Sequence, residues 1–183
     1  MASCTCCADL LAPGVGRRDF VRLMLGVSAG AMVAASGLNR ALAADGTVYQ
    51  AMLLSCIDPR MVEPVHRYML GRGLKGEYSQ FTIAGAAIGV VAPAFADWRP
   101  AFWENLAASI QLHHIPKIIA IDHRDCGAAK IAYGAEAVRD RAAETATHRH
   151  ALAEFRQEVR RRHPALEIET SLMDLDGRIE MFD

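Results

Sequence analysis

The chain has 183 residues, 52% of them apolar and 22% charged, with a formal net charge of −1. That balance fits one globular domain of ordinary size and excludes a disordered or fibrous chain. With no basic stripe beyond "RRRHP" at Arg160 to Pro164, it also argues against nucleic acid as a partner.

Residues 1–43 read as a cleaved export signal, leaving 44–183 as a single domain. Arg17 and Arg18 are paired, Phe20 follows, and Leu23 to Leu38 is a weakly apolar segment rich in Gly and Ala. Ala41-Leu42-Ala43 has the small-x-small form of a cleavage site. This resembles a twin-arginine signal, which hands folded chains to the twin-arginine translocase, so the expected location is the periplasm or otherwise outside the cytoplasm. The apolar segment is too short and interrupted for a good span, so the mature form is expected to have no stable membrane segment. Cys4, Cys6 and Cys7 would leave with the signal, and only Cys56 and Cys126 would remain.

Val48 to Cys56 and Lys117 to Asp122 are short continuous apolar runs, the pattern of strands buried on both faces. Tyr78 to Ile83 is a third candidate strand. Helical patterns fill the intervals: Val62 to Leu74, closed by Gly71 and Gly73, and Trp98 to His114, with Phe102, Leu106, Ser109, Ile110 and His113 on one stripe and Pro116 as the stop. A helix is expected to open at Gly127 and run to Tyr133. Another spans Arg139 to His163, with Ala142, Leu152, Phe155 and Val159 on its inner face. Leu166 to Phe182 alternates around Asp176-Gly177, the signal of a final strand or hairpin. Strands alternating with helices imply an α/β fold, a parallel sheet of about four strands flanked by helices, with ligands at the carboxyl ends of the strands.

Chemistry-bearing residues cluster at two of those ends. "SCIDPRM" places Cys56, Asp58 and Arg60 after the first strand, and "IDHRDCG" places His123 and Cys126 after another. Two thiolates and an imidazole are zinc ligands, and three protein ligands leave the fourth tetrahedral position open, as in catalytic sites. Cys126 precedes a helix start, which favours its thiolate. Pro59 pushes Asp58 out of the helical region, so an extended backbone would put Cys56, Asp58 and Arg60 on one side. A disulfide between two cysteines of an exported protein is the competing reading. Asp58 with Arg60 alone is an ordinary ion pair. The other histidines, His66, His113, His114, His148, His150 and His163, read as surface or partly packed residues.

Taken together, Cys-x-Asp-x-Arg after one strand and His-x-x-Cys-Gly after another resemble the β-class carbonic anhydrases. The likeness runs from about Met52 to Ala132 and includes "WENLAASIQLHHI" before "PKIIAIDHRDCGAAK". It implies a zinc lyase interconverting carbon dioxide and bicarbonate through a zinc-bound hydroxide. One zinc per chain would sit on Cys56, His123 and Cys126, with Asp58 and Arg60 as the catalytic dyad, in a homodimer or a multiple of dimers. The chain departs from the family at "IAGAAIG", where a polar Arg-Asn-Ala-Gly-Asn run is usual, and Pro59 stands where Ser is common. Two alternatives follow: hydrolysis of carbon disulfide or carbonyl sulfide on the same scaffold, or a zinc-binding, redox-responsive protein without turnover.

Overall fold

A computed structural model describes residues 48–183. The proposed export signal and its cleavage pattern lie outside the described residues. Five strands form one sheet in the order β2-β1-β3-β4-β5: β1 (Ala51–Ser55), β2 (Tyr78–Thr82), β3 (Lys117–His123), β4 (Glu167–Met173) and β5 (Ile179–Phe182). The first four pair in parallel, and β5 returns antiparallel along β4. The alternating stretch at the C-terminal end is therefore a hairpin, turned at Gly177, whose φ of 92° suits a residue without a side chain.

The helices are α1 (Val62–Gly71), α2 (Ala87–Val91), α3 (Arg99–His113), α4 (Gly127–Tyr133) and α5 (Arg141–Arg162). From β1 the chain steps outward to β2, then returns past β1 to β3 and continues to β4. Right-handed crossovers in opposite directions put their helices on opposite faces. Accordingly Met61, Val65 and Met69 around α1 pack on Ala51, Leu53, Ile119 and Ile121. Phe102 and Leu106 of α3 and Leu152 and Phe155 of α5 pack on Met52, Leu54, Ile118 and Ala120 from the other side. Each fully buried Phe or Leu contributes about 1.5–3 kcal/mol relative to exposure. The reversal of direction falls between β1 and β3, and their carboxyl ends open a crevice there.

Three details differ from expectation. Ala142 is exposed, and the inner face of α5 carries Glu144, His148 and Arg156 beside Leu152, Phe155 and Val159. His148, expected at the surface or partly packed, is fully buried because Asp122 at the end of β3 receives its ring N–H. The "IAGAAIG" stretch folds into a tight turn and the short helix α2, too brief to show a periodic pattern. Helix α5 starts on Asp140, whose carboxylate accepts the Ala143 N–H at 2.8 Å, and ends in Arg160 to Arg162, charges suited to the carbonyl end of the helix.

Candidate functional site

At the tip of β1, Asp58 is extended as Pro59 dictates (φ −57°, ψ 120°), but Pro59–Met61 then form a 3₁₀ turn rather than continuing the strand. The turn, not an extended backbone, brings Arg60 round to Asp58. Arg60 Nε donates to both carboxylate oxygens at 3.0 and 3.2 Å, its Nη2 to Oδ2 at 2.7 Å, and its backbone N–H to Oδ1 at 2.9 Å. This grip lowers the Asp58 carboxyl to about 2, so it is ionised at any working pH.

The tip of β3 supplies the other half. His123 is the last residue of the strand and Cys126 precedes α4. Between them Asp125 takes a left-handed backbone (φ 56°), turning its carbonyl and carboxylate toward β1. Arg60 Nη1 donates to Asp125 Oδ2 at 2.6 Å and Nη2 to the Asp125 carbonyl at 3.0 Å. Arg60 is thus a clasp between the two tips. Sequence reasoning quoted Asp125 but gave it no part, and an acid immediately before the cysteine was the available signal.

The thiols of Cys56 and Cys126 and the ring of His123 present ligand atoms all within 4.8 Å of one another, and all three residues are buried. His123 Nδ1 donates to the Arg124 carbonyl at 2.8 Å, which fixes the tautomer and leaves Nε2 as the lone-pair atom. Nε2 is buried with no hydrogen-bond partner, 3.9 Å from Asp58 Oδ2. Cys56 and Cys126 are free thiols. Cys56 is pulled well below the usual thiol range, first by the Cys126 thiol, then against burial by His123 and by the Gly85 N–H, which points at its sulfur from 3.2 Å. Cys126 is pushed up by Cys56 and by burial. The helix start that was expected to make Cys126 a thiolate acts in the right direction through the Ala129 N–H, but the neighbouring sulfur outweighs it. Two sulfurs and an unsatisfied imidazole nitrogen are a donor set that fits zinc.

A cavity of about 190 Å³ runs from Cys56 past Ile57, Met61, Val62 and Val65 to Gln80 and Thr82. Ile57 and Val62 at its rim are 60% and 68% exposed, beside β2, the edge strand of the sheet. A larger cavity of about 610 Å³ opens beside Asp125 and Cys126, but its wall is charged. There Arg124 is already paired with Glu144, Asp174 and Glu180. The smaller cavity has an apolar side, Ile57, Met61, Val62 and Val65, and a neutral polar side that includes Ser55, Gln80 and Thr82, and without an ion pair in its wall it suits an uncharged substrate better.

The fold places this chain among proteins built like the β-carbonic anhydrases. The structure aligns with the β-carbonic anhydrase CcaA over 75% of each chain (TM-score 0.54, 12% identity). It aligns with CafA of Aspergillus fumigatus over 75% of this chain and 77% of that one (TM-score 0.51, 14% identity). The Coccomyxa β-carbonic anhydrase, solved with acetazolamide, is covered to 79% by 81% of this chain (TM-score 0.51, 16% identity). No protein-family model matches the sequence. An uncharacterized protein of Rickettsia conorii is 31% identical over 129 residues, 70% of this chain and 69% of that protein. One of Rickettsia bellii is equally identical over the same length and is covered to 79%. The chain belongs to the family of these rickettsial proteins.

Proposed function

We propose that this protein is a zinc lyase catalysing the reversible hydration of carbon dioxide to bicarbonate. The observation that carries the reading is the convergence of Cys56, His123 and Cys126 beside an aspartate that an arginine holds in place. Those three residues would hold the metal. Zinc supplies a Lewis acid that makes water a nucleophile near neutral pH. Asp58, ionised and fixed by Arg60, would accept a hydrogen bond from the attacking water and so turn its lone pair toward the substrate carbon; held this far below working pH, it orients rather than takes the proton. Arg60 occupies the carboxylate with four hydrogen bonds and keeps it from taking the open metal position. Ile57, Met61, Val62 and Val65 give a small apolar gas one apolar wall along its approach.

The zinc-loaded chain should hydrate carbon dioxide in a stopped-flow assay, with activity rising toward alkaline pH because two thiolates donate more charge than imidazoles. A rate equal to buffer at every pH would reject the lyase. Release of hydrogen sulfide from carbonyl sulfide or carbon disulfide, without bicarbonate formation, would move the same site to the hydrolase alternative. A redox role is supported by the closeness of two free thiols, and one zinc with no disulfide in protein from its native compartment would contradict it.

Assembly and export are parts of the same proposal. The exposed Ile57 and Val62 beside edge strand β2 support a homodimer with the sites near its interface; sedimentation of the mature chain as a monomer alone would contradict it. Among the described residues no helix is long and apolar enough to cross a membrane. Arg17 and Arg18 support twin-arginine export to the periplasm, and replacing both with Lys should leave the precursor in the cytoplasm.

A further inference from the structure

A buried ionisable pair lies behind the metal centre and takes no part in the mechanism above. Asp122 and His148 are both fully buried. His148 Nδ1 donates to Asp122 Oδ2 at 2.8 Å, and the other oxygen, Oδ1, accepts the Ala87 N–H at 2.9 Å. Ala87 closes a turn of unusual backbone: Gly85 has φ 81°, and Ala86 has φ 49° with ψ −112°. A non-glycine residue in that region is strained and persists only where its surroundings hold it. The turn is also crowded, since a Cβ on Gly85 would stand 3.0 Å from the Ala128 Cβ on α4. Its first half is tied to the tip of β1, because the Ile83 N–H donates to the Ser55 carbonyl at 3.1 Å. At its centre the Gly85 N–H meets the Cys56 sulfur at 3.2 Å.

We propose that Asp122 and His148 are positioning residues of the metal centre, a buried relay from α5 through the Ala87 N–H that holds the Gly85 N–H on the sulfur of Cys56. The inference rests on the metal-binding reading of Cys56, His123 and Cys126. An N–H directed at a thiolate withdraws charge from the sulfur, so the metal it binds remains more acidic. A peptide turn with a strained alanine does not keep that direction unaided. Asp122 supplies the acceptor, and His148 keeps the carboxylate from rotating. Because His148 offers Nδ1 and leaves Nε2 without a partner, the element needed from it is one donor at the Nδ1 position.

The test compares His148→Leu with His148→Asn in the cobalt-substituted full chain, with zinc affinity as a second readout. An asparagine amide N–H stands where Nδ1–H stood. His148→Leu should move the thiolate-to-cobalt absorption to longer wavelength and weaken zinc binding by about 10-fold, the lower end of the usual loss for an outer-shell partner. His148→Asn should restore both. A folded His148→Leu protein with an unshifted band, or equal shifts in both variants, would overturn the relay. Should His148→Leu fail to fold, the unaltered protein loaded with cadmium-113 decides. A scalar coupling between the metal and the Gly85 amide through sulfur is expected, and its absence contradicts the proposal. A chain that takes up neither cobalt nor zinc overturns the metal reading itself; metal uptake without the shift or the coupling overturns only the relay.

Discussion

The tips of β1 and β3 face one crevice but are built differently. The β3 tip is interior: His123, Arg124 and Cys126 are buried, and the ring and guanidinium are fixed by the Arg124 carbonyl and by Glu144, Asp174 and Glu180. The β1 tip gives one buried thiol, Cys56, and then turns outward, with the Arg60 side chain 45% exposed. On the proposed reading the interior tip supplies two of the three ligands, and the outward-turning tip adds the third and the orienting carboxylate. Burial would then serve metal binding, and the orienting group would stand nearer solvent.

That division predicts separable failures. The largest effect belongs to the interior tip. Cys126→Ser should reduce zinc from one per chain to almost none by elemental analysis, because a neutral hydroxyl is a far weaker ligand than a thiolate. Arg60→Ala should keep its zinc yet lose about 10²-fold or more in carbon dioxide hydration, the scale for a misplaced orienting group. If instead it keeps full activity, Arg60 and Asp58 are a solvated ion pair and the contrast between the tips fails. Asp125→Gly sharpens the comparison, since glycine accepts the left-handed backbone and only the carboxylate is lost. The Asp125 side chain is 75% exposed. Exposed pairs are worth up to about 1 kcal/mol, so its hydration rate should fall no more than about fivefold with zinc retained.

The smallest effect lies away from both tips and serves as a control. Glu169 on β4 pairs with Arg72 and Lys117, and the Arg72 guanidinium, against a partial burial penalty, holds its carboxyl below the usual glutamate range. A depressed folded value contributes stability that is present above the unfolded value of about 4.3 and is lost as pH falls through the folded one. Glu169→Gln should therefore flatten the acid side of the thermal stability profile below about pH 4.3 and leave zinc content unchanged.

Much of this was legible in the sequence where a residue's neighbours dictate its surroundings. "AMLLS" and the "IIAI" of "KIIAIDH" are short continuous apolar runs, the pattern of strands covered on both sides, and the residues that follow them are of ligand type. That the two tips meet did not follow from the sequence: it depends on β1 and β3 lying side by side, which the sheet order shows. What stayed hidden depended on contacts distant in sequence. Helix α5 places Glu144, His148 and Arg156 on its inner face, so its apolar periodicity is faint, and only Asp122, on another element, shows why a histidine is buried there. The clasp from Arg60 to Asp125 spans 65 residues, and the Gly85 N–H on Cys56 spans 29. Neither leaves a local pattern. The pull of one sulfur on the other stayed hidden for the same reason: the helix start beside Cys126 is local, the second sulfur is not.

Oxygen-18 exchange between carbon dioxide and water tests the central claim most directly, because it follows the interconversion itself at equilibrium and needs no buffer to carry protons. Chain loaded with one zinc should deplete the label from carbon dioxide in proportion to its metal content. Depletion no faster than in protein-free buffer, with one zinc bound on Cys56, His123 and Cys126, would contradict it.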